Sequence, residues 1–426
     1  MNNYENMPEI IPTDVDIAID KETLKKLDSI LRDLASVHKV EIVQKICHGY
    51  KKTAYILSPL LLNKAFRLQL DFFVDLSTRG FPNLISNEVL LHGRKPFKNF
   101  FIPSPEVEAL FLFMRRIIKN DLCLRHIEKL RLLFDKDKNG VNQKFVDAFG
   151  KDLADKAICL IETGDLSFFH NNFKDFRQSL KKRSRKNTTL AYRIRYGFSQ
   201  IRRAINRFLH PVGFTVVLLG PDGSGKSTIA NLVLERVSGS FHGGRVQYLR
   251  PYLLPAMGRL KFWNPSEEIT TNPQPHNHPE QNPFKSLIRF FYYLIDYVIG
   301  YPIKIYWQKV RKNIIIFDRY YYDYLVDLRR YQFNIPRWLP RFFLPFIPSP
   351  DITIYLDAEP DLLYKRKQEL SLLELERQVK EFKKVVSQVP NTISVRVDKP
   401  VEEIVKEISH QILNMKSQQT KKIMSI

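Results

Sequence analysis

The segment Gly220-Pro221-Asp222-Gly223-Ser224-Gly225-Lys226-Ser227-Thr228 constrains the fold more than any other part of the chain. It satisfies G-x-x-x-x-G-K-[ST], and its flanks are those the pattern needs. Upstream, Phe214-Thr215-Val216-Val217-Leu218-Leu219 reads as a buried parallel strand, and downstream Ile229-Ala230-Asn231-Leu232 opens a helix. Glycines at Gly220, Gly223 and Gly225 let backbone N–H groups close around phosphate oxygens, and the helix start adds partial positive charge. In such a turn Lys226 reaches the outer phosphates of a nucleoside triphosphate, and the Ser227 hydroxyl, followed by Thr228, meets Mg²⁺.

Around this turn the region from 211 to 413 alternates between strand and helix patterns. Strands are predicted at 214–219, 246–249, 313–318, 352–357 and 393–398, which implies an α/β fold with a parallel sheet covered on both faces. Two of these strands end in acids, Asp318 and Asp357. Ligands of open α/β sheets gather at the carboxyl ends of the strands, so Asp318 is a candidate for the Mg²⁺ shell. Asp357 could equally cap the turn that follows it.

The N-terminal region, 1–170, reads as a smaller α+β domain. Ile10 to Ile19 looks like a strand carrying Asp14 and Asp16, whose side chains a period of two sends to one side. A second strand, Arg67 to Val74, holds Asp71 among apolar neighbours. Three carboxylates on adjacent strands can hold one or two Mg²⁺ ions around a triphosphate. Beyond about residue 104 the pattern turns helical.

The net charge of +22 is unevenly spread: residues 171–210 hold 12 Lys/Arg against Asp175 alone. This stretch reads as a solvated basic linker between the domains. The same charge could hold nucleic acid or an anionic membrane surface. Residues 414–426 read as a polar, frayed tail. Cys47, Cys123 and Cys159 are far apart and match no metal spacing, which points to a reducing, cytoplasmic setting. The most apolar stretch, 290–307, is broken by Asp296, Gly300, Pro302 and Lys304, so no transmembrane helix is expected.

The phosphate-binding turn, Asp318-Arg319-Tyr320 and the strand Pro350-Asp351-Ile352-Thr353-Ile354-Tyr355-Leu356-Asp357 together resemble the thymidylate kinase family over about 200 residues. That resemblance implies a five-stranded parallel sheet and transfer of the ATP γ-phosphoryl group to a small-molecule acceptor. It further implies that Arg319 helps hold the acceptor phosphate and that Arg366, Lys367 and Arg377 belong to a mobile lid, with Arg366 taking part in catalysis. The sequence departs from the family pattern in three places. Asp323 stands where a serine is usual, Arg250-Pro251-Tyr252 replaces a glycine-rich stretch, and a Pro/Asn/His-rich insert spans 264–283. An aspartate at 323 suits a hydroxyl acceptor better than a phosphate, because like charges repel. A helix from Ser286 to Tyr301 carries Phe290, Tyr293 and Tyr297, which either line the acceptor pocket or fill the core.

Thr13-Asp14-Val15-Asp16-Ile17 with Leu70-Asp71-Phe72 resembles the nucleotidyltransferase fold. The usual Gly-Ser helix start is missing, since 13 residues precede Asp14. Either the chain begins late or this copy has lost triphosphate handling. As a whole the chain resembles bacterial two-domain proteins, some of them near surface-polysaccharide functions. Nucleic-acid end processing and an ATP-dependent switch in envelope assembly are the alternatives to a small-molecule kinase.

Overall fold

The computed structural model describes residues 4, 5, 7, 9, 11, 14–59, 68–78, 80–255, 257 and 282–424. They form two compact units, one of residues 1–34, 45–56 and 68–205, the other of 35–44, 57–67 and 206–426.

The chain begins with strand β1 (Val15–Ala18) and helix α1 (Lys21–Val37), then the long strands β2 (Val40–Gly49) and β3 (Lys52–Pro59), and β4 (Leu68–Phe73); the end of α1, the start of β2 and the end of β3 are grouped with the second unit. These strands form one sheet in the order β1-β4-β3-β2. Strands β1 and β4 run parallel, with Asp16 opposite Asp71 in the register. Short hairpins follow, β5 (Leu76–Thr78) with β6 (Phe81–Ile85), then helix α2 (Asn87–Leu91) and β7 (Lys95–Phe97) with β8 (Phe100–Ile102). The rest is helical: α3 (Pro105–Lys119), α4 (Leu124–Lys136), α5 (Lys138–Phe149), α6 (Lys151–Thr163), α7 (Leu166–Asn171), α8 (Phe173–Lys186) and α9 (Leu190–Leu209). Helix α3 is buried continuously from Val107 to Met114, as a central core helix is, and Phe113 packs against Phe145, Phe149 and Phe176 of α5 and α8.

The expected linker is therefore two helices. Phe176 and Leu180 of α8 lie in the first unit's core, and the Arg183 guanidinium donates to the carbonyls of Leu84 and Asp147. A basic run conceals this docking because only every third or fourth residue of α8 is apolar.

The second unit is built on β9 (Phe214–Leu219), α10 (Lys226–Val237), β10 (Gly244–Tyr248), α11 (Pro283–Val298), α12 (Trp307–Val310) and β11 (Ile314–Asp318). Then come α13 (Asp323–Val326), α14 (Trp338–Phe343), β12 (Ile352–Asp357), α15 (Pro360–Arg366), α16 (Leu372–Val386), β13 (Thr392–Arg396) and α17 (Val401–Met424). The five strands are all parallel, in the order β10-β11-β9-β12-β13. Alternate residues face opposite cores. Phe214, Val216 and Leu218 pack with α10 and α17, while Val217 and Leu219 pack with α11. Strand β9 is central, its connection leads to one edge of the sheet, and that of β12 leads to the other. The carboxyl end of β9 is thus where the strand order reverses, the place where open α/β sheets leave a crevice.

Three expectations are corrected here. The predicted tail is helical to Met424, with Lys416, Ser417 and Thr420 buried. Its polar residues have partners far away in sequence: Thr420 Oγ donates to the Val43 carbonyl at 2.8 Å and Ser417 to Glu41. The second unit also takes in residues 35–44 and 57–67, where Val43 joins its core and Gln44 donates to the Ser240 carbonyl at 3.2 Å. Helix α11 ends at Val298, and a π-helical turn at Tyr301–Tyr306 follows, with Pro302 in it. The insert at 264–283 lies outside the described residues up to Gln281. No described helix is long and apolar enough to cross a membrane.

Lys416 is 3% exposed, with its ammonium 5.7 Å from the Phe214 ring. Burial pulls its pKa down to about 8, with Asp351 opposing and Lys309 adding to the fall. Below about pH 8 both folded and unfolded chains carry the proton. Between pH 8 and the ordinary lysine range only the unfolded chain does, so stability rises with pH across that window. Lys416→Met is expected to stabilise the fold at pH 7 by on the order of 1–3 kcal/mol and to flatten this rise. Urea denaturation midpoints from pH 7 to 10 measure both.

Candidate functional site: a phosphate-binding loop and its buried charge cluster

The loop between β9 and α10 folds as the glycine spacing requires. Gly223 and Gly225 have φ of 84° and 83°, the left-handed region that a side chain resists. A Cβ on Gly223 would also stand 2.9 Å from the Leu363 carbonyl oxygen. Gly220 is equally confined, 2.9 Å from Ser224 Oγ by the same measure. Ser224 closes the turn by donating its hydroxyl to the Pro221 carbonyl at 2.8 Å. Thr228 lies exposed one residue beyond Ser227 on α10.

Lys226 is buried, with its ammonium turned onto the loop's own carbonyls, Gly220 at 2.8 Å and Pro221 at 2.7 Å. Burial, and then the charge of Arg319, pull its pKa down to about 7, against the pull of Asp222 and Asp323. Ser227 donates to Asp318 Oδ2 at 2.5 Å. That contact follows from the sheet: β11 lies beside β9 in parallel register and delivers Asp318 to the carboxyl end of the strands. Asp318 Oδ1 is buried with no hydrogen-bond partner among the described residues. A serine hydroxyl beside a spare carboxylate oxygen is an all-oxygen donor set that suits a hard divalent ion such as Mg²⁺. Asp357, the other strand-end acid, pairs instead with Lys383 at 3.3 Å.

Arg319 follows Asp318 with φ of 73°, unusual for a residue bearing a side chain. Its guanidinium is held on two sides, by Asp222 of the loop and by Asp323 Oδ1 at 3.0 Å. Asp323 also accepts from the Tyr320 backbone N–H at 3.1 Å. Asp222 receives a second guanidinium, that of Arg330. Burial would raise the Asp222 carboxyl, but Arg319, Lys226 and Arg330 hold it well below the usual carboxylate range. Asp323 sits just 2% exposed, and there burial prevails over Arg319 and Lys226, so its pKa is raised.

This arrangement differs from expectation at several positions. Arg319 is already matched by two carboxylates rather than open to an acceptor phosphate. Asp323 serves Arg319 and a backbone N–H rather than a surface. The residues expected in a lid are engaged close by: Arg366 donates to the Val397 carbonyl at 2.8 Å, Lys367 pairs with Glu369 at 2.9 Å, and Arg377 pairs with Glu374 at 2.6 Å. Arg250 is buried against Asp296 at 2.8 Å, and Asp296 also accepts the backbone N–H groups of Tyr252, Leu253 and Leu254. Phe290 and Tyr297 of α11 are core residues, with Tyr297 packed edge-on against Tyr320, Tyr321 and Tyr324. Arg330 is a neighbour of the loop that sequence reading missed. It lies in a 3-10 turn, Arg329–Tyr331, after α13, where no spacing rule marks it.

In the first unit, Asp14, Asp16 and Asp71 come together, each with a carboxylate oxygen within 4.8 Å of the others. Parallel pairing of β1 and β4 sets Asp16 beside Asp71, and the alternation along β1 adds Asp14 on the same side. Two cations stand against the cluster. Arg115 Nη1 is 2.5 Å from Asp16, and Lys52 Nζ is 3.3 Å from Asp71 and 3.9 Å from Asp16. Burial favours the neutral form of Asp16, but Arg115 and then Lys52 outweigh it and lower the pKa. Beside Asp16 opens a mainly apolar cavity of about 470 Å³, lined by Ile17, Leu90, Phe100 and Ile102 with Arg94.

No protein-family description matches the chain, and no curated protein matches it. Among solved structures, thymidylate kinase from Ehrlichia chaffeensis is similar with a TM-score of 0.32 and 18% identity, covering 46% of this chain and 96% of that one.

Removing Asp323 leaves the Arg319 guanidinium buried with one of its two counter-charges gone. Asp323→Ala is expected to destabilise the second unit by about 3–5 kcal/mol. Asp323→Asn, which keeps an acceptor oxygen for Arg319, should lose clearly less. Urea unfolding of both variants, followed by fluorescence, checks the order.

Proposed function

We propose that the second unit is an ATP- and Mg²⁺-dependent phosphotransferase acting on a small-molecule acceptor in the cytoplasm. The observation that carries this reading is the Lys226–Ser227–Asp318 constellation, in which a phosphate-binding turn and a strand-end carboxylate meet at the carboxyl end of a parallel sheet. Phosphoryl transfer needs positioning and charge neutralisation more than covalent help from the protein. Bound Mg²⁺ would neutralise phosphate charge, with Ser227 and the spare oxygen of Asp318 as its protein ligands. The backbone N–H groups of the loop cradle the phosphates, and Lys226 exchanges the Gly220 and Pro221 carbonyls for phosphate oxygens. Asp222, Arg319 and Arg330 keep the loop in place. Arg319 is committed to Asp222 and Asp323, which argues against a nucleoside monophosphate held by that guanidinium and favours a hydroxyl-bearing acceptor.

Lys226 gives this reading a pH signature. Triphosphate raises the pKa of an ammonium that stands near 7 in the free loop, so binding takes up a proton. Affinity is complete below about pH 7 and falls as pH climbs from there toward the ordinary lysine range, by up to about tenfold per unit. Titration calorimetry in buffers of different ionisation enthalpy reads the proton directly. Lys226→Ala should lose the pH dependence and cut turnover of radiolabelled ATP, in a screen of nucleosides, nucleotides and sugars, by on the order of a hundredfold or more. Unchanged turnover in that variant overturns the kinase reading.

The acid cluster of the first unit supports a second reading, a divalent-ion site of the nucleotidyltransferase type. Because Arg115 and Lys52 already balance Asp16 and Asp71, an ion must compete with them, and nucleotidyl transfer is expected to be weak. Mn²⁺ binding, followed by electron paramagnetic resonance, should weaken in Asp14→Asn and strengthen in Lys52→Met. Equal binding by all three proteins removes this reading.

A further inference from the structure

Helix α9 is amphipathic with its polar side turned inward. Its contacts with the first unit are made by two tyrosines and an arginine, and the rings of Tyr192 and Tyr196 pack edge-on against Tyr50. Tyr192 Oη donates to Asp75 at 3.0 Å, Tyr196 Oη to the Thr78 carbonyl at 2.6 Å, and Arg203 to the His48 carbonyl. The apolar side faces out. Leu190, Ile194, Phe198, Ile201 and Ile205 recur at helical spacing and are 50–68% exposed. A surface helix of a globular protein ordinarily shows the reverse. At 3.6 residues per turn, Arg193 flanks the stripe on one side, and Arg195 and Arg202 on the other. All three are exposed, and no carboxylate occurs between Asp175 and Asp222. The preceding helix α8 adds a groove lined by Lys174, Arg177, Lys181, Lys182 and Arg185.

We infer that α9 is an interfacial helix that lays its apolar stripe into an anionic lipid bilayer. Both halves of the pattern are needed for this assignment. Apolar side chains between arginines enter the acyl boundary while the guanidinium groups reach headgroup phosphates. A second copy of the chain would set one arginine-bordered stripe against another, with like charges facing. A nucleic acid would match the arginines but leave five apolar side chains in water. The second unit, taken by itself, carries a comparable stripe on α11, where Phe284, Ile288, Phe291 and Ile295 are exposed near Lys285 and Arg289. This inference is independent of the kinase reading.

The test is co-sedimentation of the full chain with vesicles of phosphatidylcholine alone or mixed with phosphatidylglycerol. Binding is expected for the mixed vesicles and should weaken as salt is raised. The double variant Phe198→Asp/Ile201→Asp changes exposed positions only and should bind on the order of a hundredfold more weakly with an unchanged circular dichroism spectrum. Phe198→Trp should shift its emission to the blue on vesicles and be quenched by brominated acyl chains. Equal binding to both vesicle types, or undiminished binding by the double variant, overturns the inference. So does lipid-free self-association, or retention on an oligonucleotide, that the double variant abolishes.

Discussion

The pair formed by Asp222 and Arg319 holds the second unit's site together. Asp222 belongs to the glycine-rich loop between β9 and α10, Arg319 follows the end of the neighbouring strand, and both are buried. An isolated charge at either position would be prohibitive, so each depends on the other and on further partners, Asp323 for Arg319 and Arg330 for Asp222. The cluster explains why Arg319 tolerates a left-handed backbone: two carboxylates fix where its guanidinium must lie, and the backbone yields. It also sets the charge around Lys226, whose ammonium shares the site with a guanidinium and loses its proton more readily for that reason.

Much of this was legible in the sequence, for identifiable reasons. The loop could be read because its glycines are demanded by local backbone geometry, and Gly223 and Gly225 do adopt φ values that glycine alone enters freely. The strands could be read because four of the five, all but β10, are rich in β-branched or aromatic residues, and the strand ends are displaced by no more than two positions. The acid cluster could be read because strand alternation and parallel pairing are regular. What escaped are features set by partners distant in sequence. Arg330 gains its meaning only from Asp222, and the hydroxyls of Ser417 and Thr420 only from Glu41 and Val43. Arg319 was singled out from the Asp-Arg-Tyr motif, but its two carboxylate partners, Asp222 and Asp323, were not legible.

The two acidic sites solve a common electrostatic problem in different ways. In the second unit Asp318 keeps one oxygen without a hydrogen-bond partner among the described residues, while the guanidinium of Arg319 is met by Asp222 and Asp323. In the first unit Asp16 and Asp71 are themselves met by Arg115 and Lys52. A carboxylate with a spare oxygen is ready for a divalent ion, whereas one already paired must first give up a salt bridge.

Helix α9 shows where periodicity stops being informative. Its apolar repeat has the spacing of a core-facing helix, and that repeat alone would place Leu190, Ile194 and Phe198 inside. Three polar contacts oppose that, a tyrosine hydroxyl on Asp75, another on the Thr78 carbonyl and Arg203 on the His48 carbonyl, and both tyrosine rings pack on Tyr50. Each satisfies a group that would be costly to bury without a partner. Turning the helix over would bury the stripe but leave Asp75 and two carbonyls to lose those donors, and would carry Arg203 out to solvent. The orientation is thus set by polar satisfaction together with the packing of Tyr192 and Tyr196 on Tyr50, and the apolar stripe is left exposed.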